Sequence, residues 1–203
     1  DSERSRGLGD VYKRQVFGTL KELGVEKNTI VLFMSDNGGS RGTSMGPLKG
    51  GKGSLYEGGP RTPFLIHWPG SIPAGQVSHE IGVSSDLLPT LAKLSGGKLS
   101  DNKIDGRDLS DLFLNPDKAK SPHEGFAHKG KAYRLGKWKM VGKQLFDLEK
   151  DLGETHNVAK EYPGVLKKLS DKNNKFFSMI DRELRPHVKT VSYTHLRAHE
   201  TSQ

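Results

Sequence analysis

Two short apolar runs constrain the fold of this chain more than any other feature. Residues 29–34, TIVLFM, and residues 63–68, PFLIHW, are apolar at nearly every position rather than at alternate ones. This pattern is typical of strands that are covered on both faces, as in sheets that lie between helices. Apolar residues at helical spacing precede the first run, at Val16, Leu20 and Leu23, and follow the second in residues 87–94. The pattern predicts an α/β domain.

The sequence changes in character after residue 116. Short segments at 125–128, 132–135, 138–141 and 144–147 are separated by Gly-Lys pairs, which predicts a small antiparallel sheet. A final helix is expected from residue 163 to about residue 182, because Pro163 suits a first helical position and apolar residues then recur at helical spacing.

The first apolar run ends abruptly in Ser35-Asp36-Asn37-Gly38-Gly39. One interpretation is a turn, because Asp, Asn and Gly commonly close strands. The other is a metal site, because Asp36 and Asn37 offer hard oxygen ligands at the carboxyl end of a strand. The segment by itself does not decide between them.

A glycine-rich stretch, residues 48–63 with the sequence LKGGKGSLYEGGPRTP, precedes the second run. So many glycines indicate a backbone that turns sharply or approaches another group closely. Exposed N–H groups of such a loop can hold an anion, and Lys52, with glycines on either side, can meet a small anion as a point charge. A flexible surface loop with solvated lysines is the competing interpretation.

The two ends of the chain share an unusual relation. Residues 5–15, SRGLGDVYKRQ, and residues 191–201, VSYTHLRAHET, can be encoded by one DNA string read on opposite strands. That string resembles the adapter of transposon-made sequencing libraries. We therefore expect both ends to be non-native, and we exclude His195 and His199 from any site. The alternative is a basic N-terminal arm with a histidine-containing tail.

Composition excludes several classes of function. The net charge is +8, but the lysines are scattered and no nucleic-acid recognition motif accompanies them, so we expect an anionic partner that is not a nucleic acid. No apolar run approaches the ~20 residues of a membrane span, and we expect no membrane partner. The chain contains no cysteine and therefore no disulfide.

The order of these motifs resembles the sulfatase family, the arylsulfatase-like branch of the alkaline-phosphatase superfamily. The resemblance begins with TIVLFMSDNGG and LKGGKGSLYEGGPRTPFLIHWPG, and it continues through SSDLLPTLAKLSG and DGRDLSDLF. It resumes in LGKWKMV and QLFDLEKDLGETHNVAKEYPGVLKKL, which look like the family's C-terminal subdomain.

The resemblance, together with the unusual ends, implies a division of the chain into four segments. Residues 16–116 would be the C-terminal part of a catalytic domain, in which a mixed, mostly parallel sheet lies between helices. Residues 117–190 would form a small C-terminal subdomain made of an antiparallel sheet and a helix. Residues 1–15 and 191–203 would be the adapter-derived, non-native ends.

The resemblance also implies roles for four residues. Asp36 and Asn37 match the family's metal-binding Asp-Asn pair, which usually holds Ca²⁺, with Mg²⁺ as the alternative. Lys52 matches the lysine that contacts the sulfate, and Lys49 is a candidate for a secondary contact only.

Other polar residues are expected to be structural. Glu57 and Arg61 would form an ion pair or bond to the loop, and Tyr56 and Leu55 would pack the loop down. The later histidines, His123, His128 and His156, are not expected to be catalytic.

The implied activity is the removal of sulfate from a carbohydrate or aryl sulfate ester. The family's nucleophile is a formylglycine made from a Cys or Ser in a Cys/Ser-x-Pro-x-Arg motif, and the present sequence contains no such motif. The alternatives are a phosphoester or phosphonate hydrolase of the same superfamily and a non-catalytic relative that binds sulfated glycans. The resemblance also implies a periplasmic or secreted protein.

We expect the purified chain to be inactive as a sulfatase, because the residues that would attack the ester are absent from it. Incubation with an aryl sulfate should release no product above the uncatalysed rate. Measurable turnover by this chain alone would contradict the assignment of the nucleophile to another segment.

Overall fold

The computed structural model describes residues 2–40 and 42–183, and the side chains among them from residue 11 to residue 182. The C-terminal segment expected to be non-native, including His195 and His199, lies outside the described residues. The helices and strands are α1 Ser2–Glu22, β1 Val31–Met34, β2 Phe64–His67, α2 Leu87–Leu94, α3 Ser110–Leu114, β3 Phe126–His128, β4 Ala132–Leu135, β5 Trp138–Val141, β6 Gln144–Asp147 and α4 Pro163–Glu183. The predicted α/β class is confirmed, and no described helix has the length and apolar character that a membrane span requires.

Strands β1 and β2 pair with each other in an antiparallel ladder. Met34 lies opposite Phe64 and Val31 lies opposite His67, so the long connection, residues 35–63, leaves and re-enters the ladder at the same end. Neighbouring strands joined at one end in this way must run in opposite directions. The sequence suggested a mostly parallel sheet, but the described residues contain no parallel pair.

One face of this ladder packs on a core cluster, and the other is largely exposed. Ile66 packs into a cluster with Leu109, Leu112 and Phe113 around helices α2 and α3. On the opposite face Phe33 is 54% exposed and Leu65 is 57% exposed. Helix α1 covers part of this second face, where the Phe17 ring lies 5.2 Å from that of His67 and the Lys13 ammonium lies 5.7 Å from the centroid of Phe33. Within the described residues, the expectation that both faces are covered is therefore met only in part.

The four C-terminal strands form one antiparallel sheet in the order β3-β4-β5-β6, at the segments predicted from the sequence. Gly136 and Gly142 close two of the hairpins with φ of 56° and 59°, which glycine adopts without strain.

This C-terminal sheet lies between helix α4 and the glycine-rich connection. On one face Leu169 of α4 packs among Tyr133, Met140 and Leu145. On the other face a cluster of Ala132, Val141, Phe146 and Leu148 receives Leu55 and Tyr56. The predicted packing role of Leu55 and Tyr56 is confirmed, and the C-terminal sheet is a direct support of the connection.

Candidate functional site

The turn after β1 and the glycine-rich loop, residues 48–63, are joined backbone to backbone. The N–H of Gly38 donates to the carbonyl oxygen of Gly59 at 2.9 Å. The N–H of Lys52 donates to the carbonyl oxygen of Gly39, also at 2.9 Å. The structure therefore brings the Asp36-Asn37 turn and the loop carrying Lys52 into one unit.

The glycines of this unit are needed because its backbone segments touch. A Cβ added at Gly38 would lie 1.8 Å from the carbonyl oxygen of Gly58, and one at Gly59 would lie 2.1 Å from that of Ser54. Both separations are far shorter than any real contact, so a side chain at either position would push the segments apart. The close approach expected from the sequence is confirmed, and the approached group is the loop's own backbone.

The candidate ligand side chains of the unit lie towards solvent. Asp36 and Lys52 are exposed, and Asn37 is half-buried. Lys52 helps to line a shallow pocket between the turn and the loop, together with Gly39, Ser40, Gly42, Thr43, Gly50 and Gly51. An anion or a cation could reach these groups without rearrangement of the loop.

Asp36 and Asn37 are the right type of ligand for a divalent cation, but two side chains are too few to hold one. A carboxylate and an amide oxygen suit Ca²⁺ or Mg²⁺, but Ca²⁺ takes about six to eight oxygen ligands. In the part of the chain that the structure describes, no group of three or more His, Cys, Asp or Glu side chains could hold a metal. The described part of the chain thus offers a partial set of ligands, and the metal role of the pair stays a prediction.

Lys49 points away from the pocket that Lys52 lines. Its ammonium donates to the carbonyl oxygen of Glu154 at 3.0 Å and lies 4.0 Å from the centroid of the Tyr56 ring. The aromatic face and the carbonyl both favour the cation there. This geometry favours a structural role for Lys49, and its secondary contact with substrate stays a prediction.

Glu57 anchors the loop to the C-terminal sheet. Its carboxylate is 3% exposed and accepts a hydrogen bond at 2.7 Å from Lys139, which is 1% exposed. Arg134 donates to the same carboxylate at 3.2 Å. The predicted ion pair with Arg61 is confirmed at 3.9 Å, but it is the longest of the three.

The burial of Lys139 was missed in the sequence analysis. This lysine lies in β5 within the segment WKMV, where a lysine between apolar residues indicates an alternating strand with the lysine facing water. The structure buries it instead, because the carboxylate of Glu57 meets it from a loop 82 residues away in the chain.

Glu154 is a second buried carboxylate at the same interface. Its Oε2 accepts a hydrogen bond at 2.6 Å from the backbone N–H of Glu57, while no described group donates to its Oε1. Burial raises the pKa of Glu154, against the lowering effects of that hydrogen bond and of Lys139.

The raised pKa of Glu154 predicts a pH-dependent stability. Its ordinary value is 4.5, so its contribution is fully present below that pH and is lost as the pH rises through the raised pKa. Replacing Glu154 by Gln should remove this loss, so the variant should gain stability over the wild type between acidic and neutral pH. Urea unfolding across this range measures the difference, with the exposed Glu149→Gln as control. A difference that stays constant with pH would contradict the linkage.

The turn between β3 and β4 also contacts the loop. The Nε2 of His128 lies 3.3 Å from the carbonyl oxygen of Ser54, and Lys129 donates to that of Gly53 at 2.9 Å. Burial lowers the pKa of His128, which favours the neutral ring. His123 is paired at 2.7 Å with the buried carboxylate of Asp86.

Comparison with known proteins finds a likeness to the sulfatases. Residues 11–97 match the family model described as Sulfatase. Human arylsulfatase A is 48% identical over 108 residues, which are 51% of this chain and 21% of that protein. The N-acetylgalactosamine-6-sulfatase of Mus musculus is 45% identical over 107 residues, which are 49% of this chain and 21% of that protein. The chain therefore carries a sulfatase-like segment that spans about a fifth of these relatives.

Solved structures, a sulfatase among them, share part of their fold with this chain. Ps i-CgsB, solved in complex with k-i-k-neocarrahexaose, is 35% identical with a TM-score of 0.70, over 84% of this chain and 40% of that one. The PsFucS1 sulfatase from Pseudoalteromonas sp. is 23% identical with a TM-score of 0.74, over 85% of this chain and 41% of that one, a likeness of fold alone. The described residues thus adopt part of the alkaline-phosphatase-like fold of the sulfatases.

Proposed function

We propose that this chain is part of a sulfuric-ester hydrolase, to which it contributes a sulfate contact and two metal ligands. The observation that carries the proposal is the hydrogen bond from Lys52 N–H to the carbonyl oxygen of Gly39. That bond holds the backbone of Lys52 beside the turn with Asp36 and Asn37, and the loop lies within residues 11–97, which match the sulfatase family model. A solvated surface loop would not need this fixed geometry.

Lys52 would act on the charge of the ester. Its exposed ammonium would hold a sulfate oxygen and would stabilise negative charge that develops as the S–O bond breaks. Because the loop is fixed by backbone bonds and by Glu57, little reorganisation would be needed during the reaction.

Asp36 and Asn37 would hold one side of a Ca²⁺ or Mg²⁺ ion, whose remaining ligands would come from elsewhere. When bound, such an ion supplies Lewis-acid polarisation of a sulfate oxygen. The two side chains would orient it towards the pocket that Lys52 lines.

The substrate class that we propose is a sulfated carbohydrate. Ps i-CgsB was solved with a neocarrahexaose, and another relative is named an N-acetylgalactosamine-6-sulfatase. An open, shallow pocket that contains an exposed lysine suits an extended anionic sugar better than an enclosed apolar ligand.

A chimera tests the proposed function. Residues 16–97 would replace the matching segment of human arylsulfatase A, which supplies the nucleophile and the remaining metal ligands. We expect the chimera to turn over an aryl sulfate faster than the corresponding aryl phosphate. A chimera that melts like arylsulfatase A but hydrolyses neither ester, or prefers the phosphate, would overturn the proposal.

A further inference from the structure

The turn between β3 and β4 holds a lysine in a backbone conformation that lysine disfavours. Lys129 has φ of 48° and Gly130 has φ of 70°, and the N–H of Lys131 donates back to the carbonyl oxygen of His128 at 3.3 Å. These are the features of a type I′ turn, in which Asn-Gly is the favoured central pair. A lysine at its first position costs stability that Asn would not.

The strained positions are not scattered over the molecule. Lys129 and Glu154 are the two non-glycine residues with positive φ among those that the structure describes. Both contact the glycine-rich loop, Glu154 through the N–H of Glu57 and Lys129 through the carbonyl oxygen of Gly53. Backbone strain of this kind clusters at functional sites, so the interface between this turn and the loop is a candidate for one.

The ammonium of Lys129 lies beside the backbone of the loop that carries Lys52. It is exposed and lies 2.9 Å from the carbonyl oxygen of Gly53, the residue that follows Lys52. An ammonium has three donors, and that carbonyl takes one of them. The carboxylate of Glu57, in the same loop, is bound by Lys139 and Arg134.

We propose that Lys129 is a second anion-binding residue of this site, which contacts a further sulfate or carboxylate of an oligosaccharide whose first sulfate meets Lys52. This inference rests on the proposed function and extends it to the choice of substrate. The site favours a sugar with two anionic groups over a sugar with one. The C-terminal subdomain thereby contributes directly to substrate choice.

The test is a titration of this 203-residue chain with two disaccharides of one backbone, one monosulfated and one disulfated, followed by NMR. Lys129→Asn removes the ammonium but suits the left-handed backbone, so its melting temperature should not fall. We expect the variant to bind the disulfated sugar about fivefold more weakly, the effect of one exposed ion pair, and the monosulfated sugar unchanged. Lys143→Gln removes an exposed lysine from another hairpin turn and should change neither affinity.

Lys52→Met separates this inference from the proposed function, because it should weaken the binding of both sugars. Equal affinities of the wild type and Lys129→Asn for the disulfated sugar would overturn the role of Lys129 and leave Lys52 standing. A wild type that binds neither sugar would overturn both. If Lys129→Asn melts early, Lys129→Gly, which tolerates the same φ, takes its place.

Discussion

Replacing Glu57 by Gln should lower the free energy of unfolding of this chain by about 3–5 kcal/mol, the usual cost of breaking a buried ion pair from one side. The loss arises because Lys139, 1% exposed, would be left in the interior without the carboxylate 2.7 Å away. Arg134 would lose the same partner. Urea unfolding followed by circular dichroism measures the change.

Two further variants isolate the buried pair. Asp171→Asn breaks the exposed pair with Lys167 and should change the stability only slightly. The double variant Glu57→Gln/Lys139→Met removes both buried charges and should recover part of the loss, even where Glu57→Gln alone fails to fold. A Glu57→Gln variant as stable as Asp171→Asn would show that the interface does not depend on this pair.

Replacing Lys52 by Met in the arylsulfatase A chimera should lower kcat about 10²–10³-fold, as expected for the loss of one preorganised group that stabilises the transition state. The backbone N–H that donates to Gly39 is kept in the variant, so the loop should stay in place. The measurement is the steady-state turnover of an aryl sulfate, together with the melting temperature of each chimera.

Lys27→Met is the matched control for Lys52→Met, because Lys27 is exposed and lies in the same transferred segment, outside the glycine-rich loop. It should leave kcat unchanged. If the two variants lose activity equally, or if Lys52→Met raises KM with kcat unchanged, Lys52 contributes only general charge or ground-state binding.

Local patterns predicted much of the fold. The four C-terminal strands were placed correctly because Gly-Lys pairs mark their turns, and glycine at positive φ is a local requirement. The strands β1 and β2 were found from their apolar runs, although β1 begins two residues after its run begins and β2 is one residue shorter at each end.

Long-range contacts could not be predicted in the same way. The burial of Lys139 depends on Glu57, and the burial of Glu154 depends on the loop backbone, so neither follows from the residues beside it. The antiparallel pairing of β1 and β2 depends on the end of the ladder to which the connection returns. The apolar pattern of the two strands carries no information on this. The order of the motifs indicated that Asp36 and Asn37 lie near Lys52. The backbone hydrogen bonds that hold the turn and the loop together are seen only in the structure.

The hydrogen bond from Lys52 to Gly39 closes the intervening segment into a loop of its own. Within that loop residues 42–44 are exposed. Lengthening a loop whose ends are already tied costs little entropy, since the cost grows only with the logarithm of its length. Insertions and deletions here can therefore change the rim of the pocket, while the two tied ends keep the Asp36-Asn37 turn and Lys52 in register.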